Sequence, residues 1–178
     1  MKKALAILAC LVMVFTVTAA ALAEETTAPL LVSGVQFNMN MDQVMQLVNL
    51  PNPEIDMERT RGSVAFKELE YENVQTYDGY RCDMKFMFVE DSLVAVHFDM
   101  VDGISYETVK ARLEEFYGKA AAFDAAKVGN GKYAIDDDGN LRDCKEMFEA
   151  EGFTIVLEQD REGDVDVTIL DPAAAYIQ

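Results

Sequence analysis

Histidine and cysteine are scarce in this sequence, and their scarcity excludes several kinds of site. One histidine occurs among 178 residues, and Cys82 and Cys144 are the two cysteines that follow the first 23 residues. Two cysteines and one histidine cannot by themselves fill the usual zinc ligand sets. The sequence also lacks a glycine-rich phosphate loop and a dinucleotide-binding fingerprint. We therefore expect no cofactor.

Positive charge is scarce as well. The chain carries 15 lysines and arginines against 32 acidic residues, which gives a formal charge of −17. A surface of this kind repels the phosphates of nucleic acids and anionic lipids. We expect no nucleic-acid partner, and a protein partner should be locally basic, although high acidity also serves solubility alone.

Long apolar runs are absent except at the N-terminus. Two lysines precede an apolar run over residues 4–17, and Ala21-Leu22-Ala23 forms a small-x-small cleavage site. The pattern is typical of a secretory signal peptide that is cleaved near Ala23-Glu24. The run is shorter than the roughly 20 residues that span a bilayer. The alternative, lipoprotein processing at Cys10, would cut this run in half.

Cleavage after residue 23 leaves 155 residues with 13 basic and 32 acidic side chains, a formal charge of −19. That length is enough for one domain. We expect this mature chain to be secreted or extracytoplasmic and to have no stable membrane span.

A short helix with both ends marked is predicted near the start of the mature chain. Asn40 is a good N-cap, and Gln43 three residues later completes a capping box. Positions 41, 44, 47 and 48 are apolar and form one stripe. Asn49 tolerates the left-handed conformation that ends helices, and Pro51 cannot continue one. The predicted helix is Met41–Val48.

The sequence pattern that marks the start of this helix occurs again 65 residues later. Segment 103–109, Gly-Ile-Ser-Tyr-Glu-Thr-Val, matches segment 38–44, Asn-Met-Asn-Met-Asp-Gln-Val, in residue type at each position. Ser105 should cap a second helix, and Gly118 should end it. The chain is therefore predicted to contain two related units.

Segment 38–51 resembles the Gly-Met-Thr-x-x-Glu/Gln-Val-x-x-Leu-Leu-Gly-x-Pro helix of a family of small bacterial envelope proteins. The family includes the small lipoprotein of the outer-membrane barrel-assembly machinery and the tandem-repeat β-lactamase inhibitory protein. Asn38 and Asn49 stand where the family has glycine, and Arg112 stands where it has an apolar residue. The resemblance implies binding rather than catalysis, because these relatives work by binding.

In that family a helical segment precedes a three-stranded antiparallel meander. The resemblance therefore implies an α+β fold in which two tandem helix-plus-antiparallel-meander units form one sheet with helices on one face. The units would span residues 34–101 and 102–171. A flexible lead-in of residues 24–33 would precede them, and a tail of residues 172–178 would follow.

Strand patterns follow the first predicted helix. Residues 80–89 and 92–100 alternate apolar and polar side chains, and Glu90-Asp91 between them predicts a tight turn. Residues 64–71 also predict a strand, but their alternation slips, which suggests a bulge or an edge. Residues 51–61 mix prolines with charges and predict a loop.

The second unit is less regular. Residues 153–158 and 165–170 predict a final hairpin, and residues 133–135 predict a short strand. Two interpretations remain open for the segment before the hairpin. Asn140 caps a helix that Gly152 closes, or a strand pair turns at Asp138-Gly139.

The predicted binding surface is the sheet face that the helices leave free. It should carry Arg81, Asp83 and Lys85 from one strand and Leu93, Ala95 and His97 from the next, with Tyr71, Tyr77 and Tyr80 near its rim. Such a mixture of aromatic, charged and small residues suits an interface, although exposed tyrosines are also ordinary surface residues.

One cluster suggests a cation site, formed by Asp136, Asp138 and Asn140. Aligned with a calcium-binding EF-hand loop, it places Ala134 at the first position and Lys145 at the twelfth, where carboxylates are needed. An acidic turn is favoured instead, because turns select the same residue types.

His97 and the two cysteines each allow a functional interpretation and an ordinary structural one. His97 lies five residues after Ser92 on one predicted strand and lacks both a nucleophile elbow and an orienting acid, which favours a solvent-facing residue. Cys82 and Cys144 lie on predicted apolar faces, where they form a disulfide or remain two reduced, buried thiols. Their spacing does not decide between these.

We predict a non-enzymatic module that binds another envelope or secreted protein, either as an inhibitor or as an assembly factor. The alternative is a divergent extracellular hydrolase or a cation-dependent enzyme built on the same sheet.

Overall fold

The computed structural model describes residues 32, 34–61, 64–75, 79–101, 103–124, 144–159 and 163–171. These residues form two helices and eight strands. In chain order the elements are α1 (Met41–Val48), β1 (Glu54–Arg61), β2 (Val64–Gln75), β3 (Arg81–Val89), β4 (Ser92–Met100), α2 (Tyr106–Tyr117), β5 (Ala121–Ala122), β6 (Cys144–Ala150), β7 (Phe153–Gln159) and β8 (Val165–Leu170). Neither helix is long and apolar enough to cross a membrane.

The eight strands form one antiparallel sheet in the order β1-β2-β3-β4-β8-β7-β6-β5. The predicted α+β class is confirmed at this level, as an eight-stranded antiparallel sheet with two helices. Strands β1 to β4 meet the remaining four where β4 pairs with β8, with His97 opposite Thr168 and Phe98 opposite Val167.

Helix α1 begins and ends at the predicted residues. The Asn40 side chain accepts a hydrogen bond from the Gln43 backbone N–H at 2.9 Å, and the Gln43 side chain accepts one from the Asn40 backbone N–H at 3.0 Å. Asn49 has the left-handed conformation, with φ of 47°. Helix α2 also has its predicted cap, Ser105, and ends before Gly118.

Strands β4 and β8 likewise have the predicted bounds. The turn between β3 and β4 consists of Glu90 and Asp91, as predicted, and both residues have positive φ, 50° and 66°. Two-residue hairpin turns favour this conformation because its twist matches that of the strands.

The loop predicted for residues 51–61 is wrong, because Glu54–Arg61 forms strand β1 at one edge of the sheet. Its pairing with β2 shifts between Ile55 and Met57. A bulge of this kind breaks the alternation of side chains, and an edge strand carries charges more readily than a central one. Strand β2 is therefore not an edge, although it has its own bulge between Tyr71 and Val74.

The helix considered for residues 140–152 is also wrong. Cys144–Ala150 forms strand β6, which pairs with β7 across a turn at Glu151 and Gly152. Gly152 has φ of 87° and serves this turn rather than a helix end. Positive φ is common to both settings, so glycine alone does not distinguish them. The strand predicted at residues 133–135 lies outside the described residues.

One large core contains side chains from both helices and from six strands. Tyr71 and Phe86 lie inside it with ring centroids 6.1 Å apart in an edge-to-face contact. Its fully or almost fully buried members include Val44, Leu69, Cys82, Phe88, Leu113, Phe148, Leu157 and Ile169. Alternate residues of the strands supply them, as a sheet with one packed face requires.

A polar contact ties α2 to β6 beside this core. Glu146 accepts hydrogen bonds from the Tyr106 hydroxyl at 2.8 Å and from the Lys110 ammonium group at 2.6 Å. Burial alone would raise the pKa of Glu146, but the two hydrogen bonds and the Lys110 charge lower it below its usual range. Burial, followed by the hydrogen bond and the charge of Glu146, raises the pKa of Tyr106.

Leu113→Ala should destabilise the protein far more than Leu47→Ala. Leu113 on α2 is 0% exposed, whereas Leu47 on α1 is 45% exposed. Truncating a buried leucine costs about 2–5 kcal/mol because a cavity remains, and the exposed leucine should cost less than about 1 kcal/mol. Denaturant unfolding of both variants measures the difference, and equal losses would contradict the assigned core.

Glu146→Gln should remove a part of the acid sensitivity of folding. A carboxyl whose pKa is lowered on folding stabilises the protein above its unfolded value of 4.5, and that stability is lost as the pH falls through the folded pKa. The variant should therefore melt at a lower temperature than the original protein at pH 7. The difference between the two melting temperatures should be smaller at pH 3. Glu151→Gln in the exposed β6–β7 turn is the control. A melting-temperature difference for Glu146→Gln that does not change with pH would refute this account.

Candidate functional site

The sheet has a second face, formed by the side chains that alternate with the core residues along each strand. Directly paired residues of neighbouring antiparallel strands share a face. The pairing assigns to the second face Glu68 and Glu70 on β2; Arg81, Asp83, Lys85 and Met87 on β3; Ala95, His97 and Asp99 on β4; Asp166, Thr168 and Leu170 on β8; and Thr154, Val156 and Glu158 on β7.

One part of the second face is apolar and covered. Ala95, Val156 and Leu170 are 0%, 1% and 4% exposed and form a small cluster of their own. Met87 and Phe123 pack against this cluster. The prediction that Ala95 belongs to an open surface is therefore wrong. A surface for a partner is left to the polar remainder of the second face.

The prediction that Leu93 lies on the free face of the sheet is also wrong. The pairing of β3 with β4 shifts between Met87 and Phe88, and this irregularity sets Leu93 opposite Phe88. Leu93 is 1% exposed and belongs to the large core. Strict alternation assigns it to the other face, because a single extra residue in a strand reverses every assignment beyond it.

The polar part of the second face consists of two neighbouring rows of paired residues. The first row is Glu70, Lys85, His97 and Thr168, on β2, β3, β4 and β8. The second row is Asp83, Asp99, Asp166 and Glu158, on β3, β4, β8 and β7. Like charges directly opposite one another destabilise a sheet, and opposite charges stabilise it. Positive charge in the first row therefore helps to stabilise the carboxylates of the second row.

Lys85 is the permanent cation of these rows. Its ammonium group lies 3.3 Å from a carboxylate oxygen of Glu70. Burial lowers the pKa of Lys85, but the charge of Glu70, its hydrogen bond and the charges of Glu68 and Asp99 outweigh burial and raise it. Lys85 is therefore held charged on a half-buried surface.

His97 is the remaining base of the rows and lies at the junction of β4 and β8. Its Nδ1 is 2.9 Å from the Thr168 hydroxyl oxygen, and its Nε2 is 3.5 Å from a carboxylate oxygen of Asp166. Its side chain is 15% exposed. His97 is on the predicted face, but it is a half-buried, bonded residue rather than a solvent-facing one.

The bulge in β2 holds two charged residues at the margin of the second face. Asn73 has φ of 57°, and its backbone N–H donates a hydrogen bond to the Asp83 carboxylate at 2.7 Å. The Arg81 guanidinium donates to the Asn73 side-chain oxygen. Arg81 itself is exposed. Arg81 and Asp83 were predicted from the sequence to lie on this face, but Asn73, which orients them, was not.

The three tyrosines predicted at the rim have different positions. Tyr71 is 1% exposed in the large core, so the prediction that it lies at the rim of the open face is wrong. Its ring fills space against Phe86, and a tyrosine supplies a large apolar body there as well as a polar tip. Tyr80 is half-buried and packs against the core. Tyr77 lies outside the described residues.

Cys82 has a free, buried thiol, and the disulfide considered with Cys144 is not formed. Strands β3 and β6 are separated by β4, β8 and β7. Four strand spacings amount to about 19 Å, whereas a disulfide needs Cα atoms within about 7 Å. Burial, followed by the charges of Asp83 and Asp99, raises the pKa of the Cys82 thiol to about 12. Such a thiol is protonated and unreactive.

The cation site suggested at Asp136, Asp138 and Asn140 lies outside the described residues. Among the residues that the structure describes, no group of three or more histidine, cysteine, aspartate or glutamate side chains could hold a metal ion. The two rows of the second face do not by themselves form such a group.

Comparisons with protein-family models, with characterised proteins and with solved structures found no match for this chain.

Alkylation should distinguish the buried thiol from a disulfide. A chain that begins at Glu24 and is treated with iodoacetamide should leave Cys82 unmodified while folded, because the thiol is buried and protonated. In denaturant without reductant, intact mass should show two modified thiols. Failure of both thiols to react under that condition, followed by reaction after reduction, would establish a bridge and contradict the strand order.

Proposed function

We propose that this chain is a secreted or extracytoplasmic, non-enzymatic module that binds another protein through the polar part of its second face. In this proposal two tandem units, each a helix followed by antiparallel strands, form one sheet with both helices on one face.

The order of the strands supports the two-unit arrangement. The first four strands run outward from the middle of the sheet as β4, β3, β2 and β1, and the last four run outward as β8, β7, β6 and β5. Each set follows a helix capped by Asn40 or Ser105. Met41 and Val44 of α1 share one core with Tyr106, Val109 and Leu113 of α2. Two helices that pack into one core are expected to lie on the same side of the sheet.

The observation that carries the binding proposal is that the charged side chains of the second face are already held in place. Asp83 is fixed by Asn73, Lys85 by Glu70, and His97 by Thr168 and Asp166. Binding usually costs the entropy of ordering such side chains, and a surface that is ordered beforehand avoids much of that cost. Mixed charges also favour a specific partner over a general one.

The chemistry of this surface indicates a locally basic partner. The second row offers Asp83, Asp99 and Asp166 next to the two bases of the first row. Arg81 at the margin is a residue type that often dominates the energy of interfaces, whereas Tyr80 packs against the core. Lys85 and His97 complete the proposed contact set, and Tyr77 remains a prediction of the sequence.

A second candidate function follows from the contacts of His97. A hydroxyl, an imidazole and a carboxylate are linked in Thr168, His97 and Asp166, which is the order of groups in hydrolase triads. Thr168 is only 3% exposed, however, and a nucleophile must reach its substrate. Broad hydrolase substrates, tested with and without calcium, separate the two functions. Turnover that Thr168→Val abolishes would overturn the binding proposal.

Arg81→Ala should weaken binding to the partner, which crosslinking in the native cell and mass spectrometry would first identify. We expect the dissociation constant to rise by roughly tenfold, because arginine at a well-ordered margin is a frequent hot spot. Asp99→Asn should instead slow association, and added salt should slow it in the original protein.

Leu47→Ala, an exposed change on α1, is the matched control for these variants and should bind like the original protein. Unchanged affinity for Arg81→Ala together with a salt-independent association rate would remove the second face from consideration.

A further inference from the structure

The core face of the sheet contains one continuous row of apolar residues that crosses seven strands. Each member lies directly opposite the next, and such pairs share a face. From β6 to β1 the row consists of Phe148, Ile155, Ile169, Val96, Phe86, Leu69 and Ile55. The first six are at most 3% exposed, whereas Ile55 is 61% exposed. The row is therefore covered along its length and open at β1.

Strand β1 also has an open backbone edge. It is the last strand at one end of the sheet, and β2 pairs with its inner side. No described strand pairs with its outer side. The backbone N–H and C=O groups of such an edge can bind another extended segment. A strand added here would continue the apolar row beyond Ile55. The other end of the sheet offers less, because β5 has only two residues.

A second copy of β1 is a poor occupant of this edge. Two identical antiparallel edge strands are related by a twofold axis, so one residue lies opposite its own copy. Centring the pair on a charged residue of β1 places two like charges at the axis. Centring on Thr60 sets two arginines opposite each other, and centring on Ile55 or Met57 sets two acidic residues opposite each other. Like charges directly opposite destabilise a ladder.

The register of β1 indicates which segment would fit. Ile55 is on the core face, whereas Arg59 and Arg61 occupy positions on the second face. An incoming strand that follows the register of β2 would carry an apolar residue opposite Ile55. The residues opposite Arg59 and Arg61 would then stand three and five positions earlier, as Phe66 and Val64 stand before Leu69 in β2. Acidic residues at these two positions would complement the arginines.

We propose that an extended segment of another protein pairs antiparallel with the outer side of β1, with an apolar residue opposite Ile55 and acidic residues opposite Arg59 and Arg61. This site is separate from the polar part of the second face, and the inference does not depend on the proposed function. Charges and a bulge also serve to keep an edge from pairing. A protected edge, however, does not require an exposed isoleucine at the end of a core row.

The first test uses a phage-displayed library of random ten-residue peptides as the probe. The library is selected on the chain that begins at Glu24 and counter-selected on its Ile55→Lys variant, which should fold because Ile55 is exposed. Enriched peptides should carry an acidic residue three or five positions before an apolar one. A synthetic copy should bind Ile55→Lys at least about tenfold more weakly, as expected for an apolar hot spot.

No enrichment over the Ile55→Lys chain, or enriched peptides without this spacing, would overturn the proposal and leave β1 as a protected edge only. A charge exchange tests the register further. Arg59→Glu should weaken binding of the synthetic peptide, and replacing the acidic residue three positions before the apolar one by lysine should restore it. Failure of this peptide to recover binding would contradict the assigned register.

Two variants serve as matched controls. Val101 is an apolar residue beyond the end of β4 that is 45% exposed, so Val101→Lys repeats the chemistry of Ile55→Lys away from the edge. Arg81→Ala removes an arginine assigned to the polar part of the second face. Both should bind the synthetic peptide like the original chain. Equal weakening by Val101→Lys would show that the peptide recognises exposed apolar residues in general and would overturn the proposal.

Amide hydrogen exchange followed by NMR tests the backbone pairing itself. Bound peptide should slow exchange at alternate residues of β1, because alternate N–H groups of an edge strand point away from its neighbour. The amides of β7, which has a strand on each side, should not change. Slower exchange in β7 with none in β1 would contradict docking at this edge.

Discussion

The structure depends on the register of one non-local ladder, the pairing of β4 with β8. This register sets Val96 and Phe98 beside Ile169 and Val167 in the core and sets His97 and Asp99 beside Thr168 and Asp166 on the second face. A slip of one residue in β8 would carry Asp166 and Thr168 to the core side and leave Val167 and Ile169 on the second face. The large core and the charged rows are therefore two consequences of the same pairing. The apolar side secures the register, and the polar side places Asp99 opposite Asp166.

Local signals made much of this fold predictable. Helix α1 has both ends encoded within about a dozen residues, and its capping contacts involve only near neighbours in the chain. Strands β4 and β8 alternate apolar and polar residues over residues 96–100 and 165–169. Strand β1 escaped prediction because a bulge interrupts its alternation and its charged side chains suit an edge. Strand β6 was not predicted because glycine at position 152 is equally typical of a turn and of a helix end.

The polar surface was predictable in its residues but not in its arrangement. Alternation placed Arg81, Asp83 and Lys85 together, since all three belong to one strand. The contact of His97 with Thr168 joins residues 71 positions apart, and no local pattern reveals it. The burial of Tyr71 and Ala95 depends on what packs over each strand face, which a strand's own sequence does not specify. Such tertiary contacts decide which of several plausible side chains can meet a partner.

The central claim is that a protein partner docks on the polar part of the second face, and site-specific photocrosslinking tests it most directly. A photoreactive residue replaces Asp83 on the second face in one variant and Leu47 on exposed α1 in another, both at native abundance in the source cell. The account predicts a defined crosslinked product from position 83 whose partner, once purified, binds the original protein, and no such product from position 47. The same product from position 47 alone would contradict it.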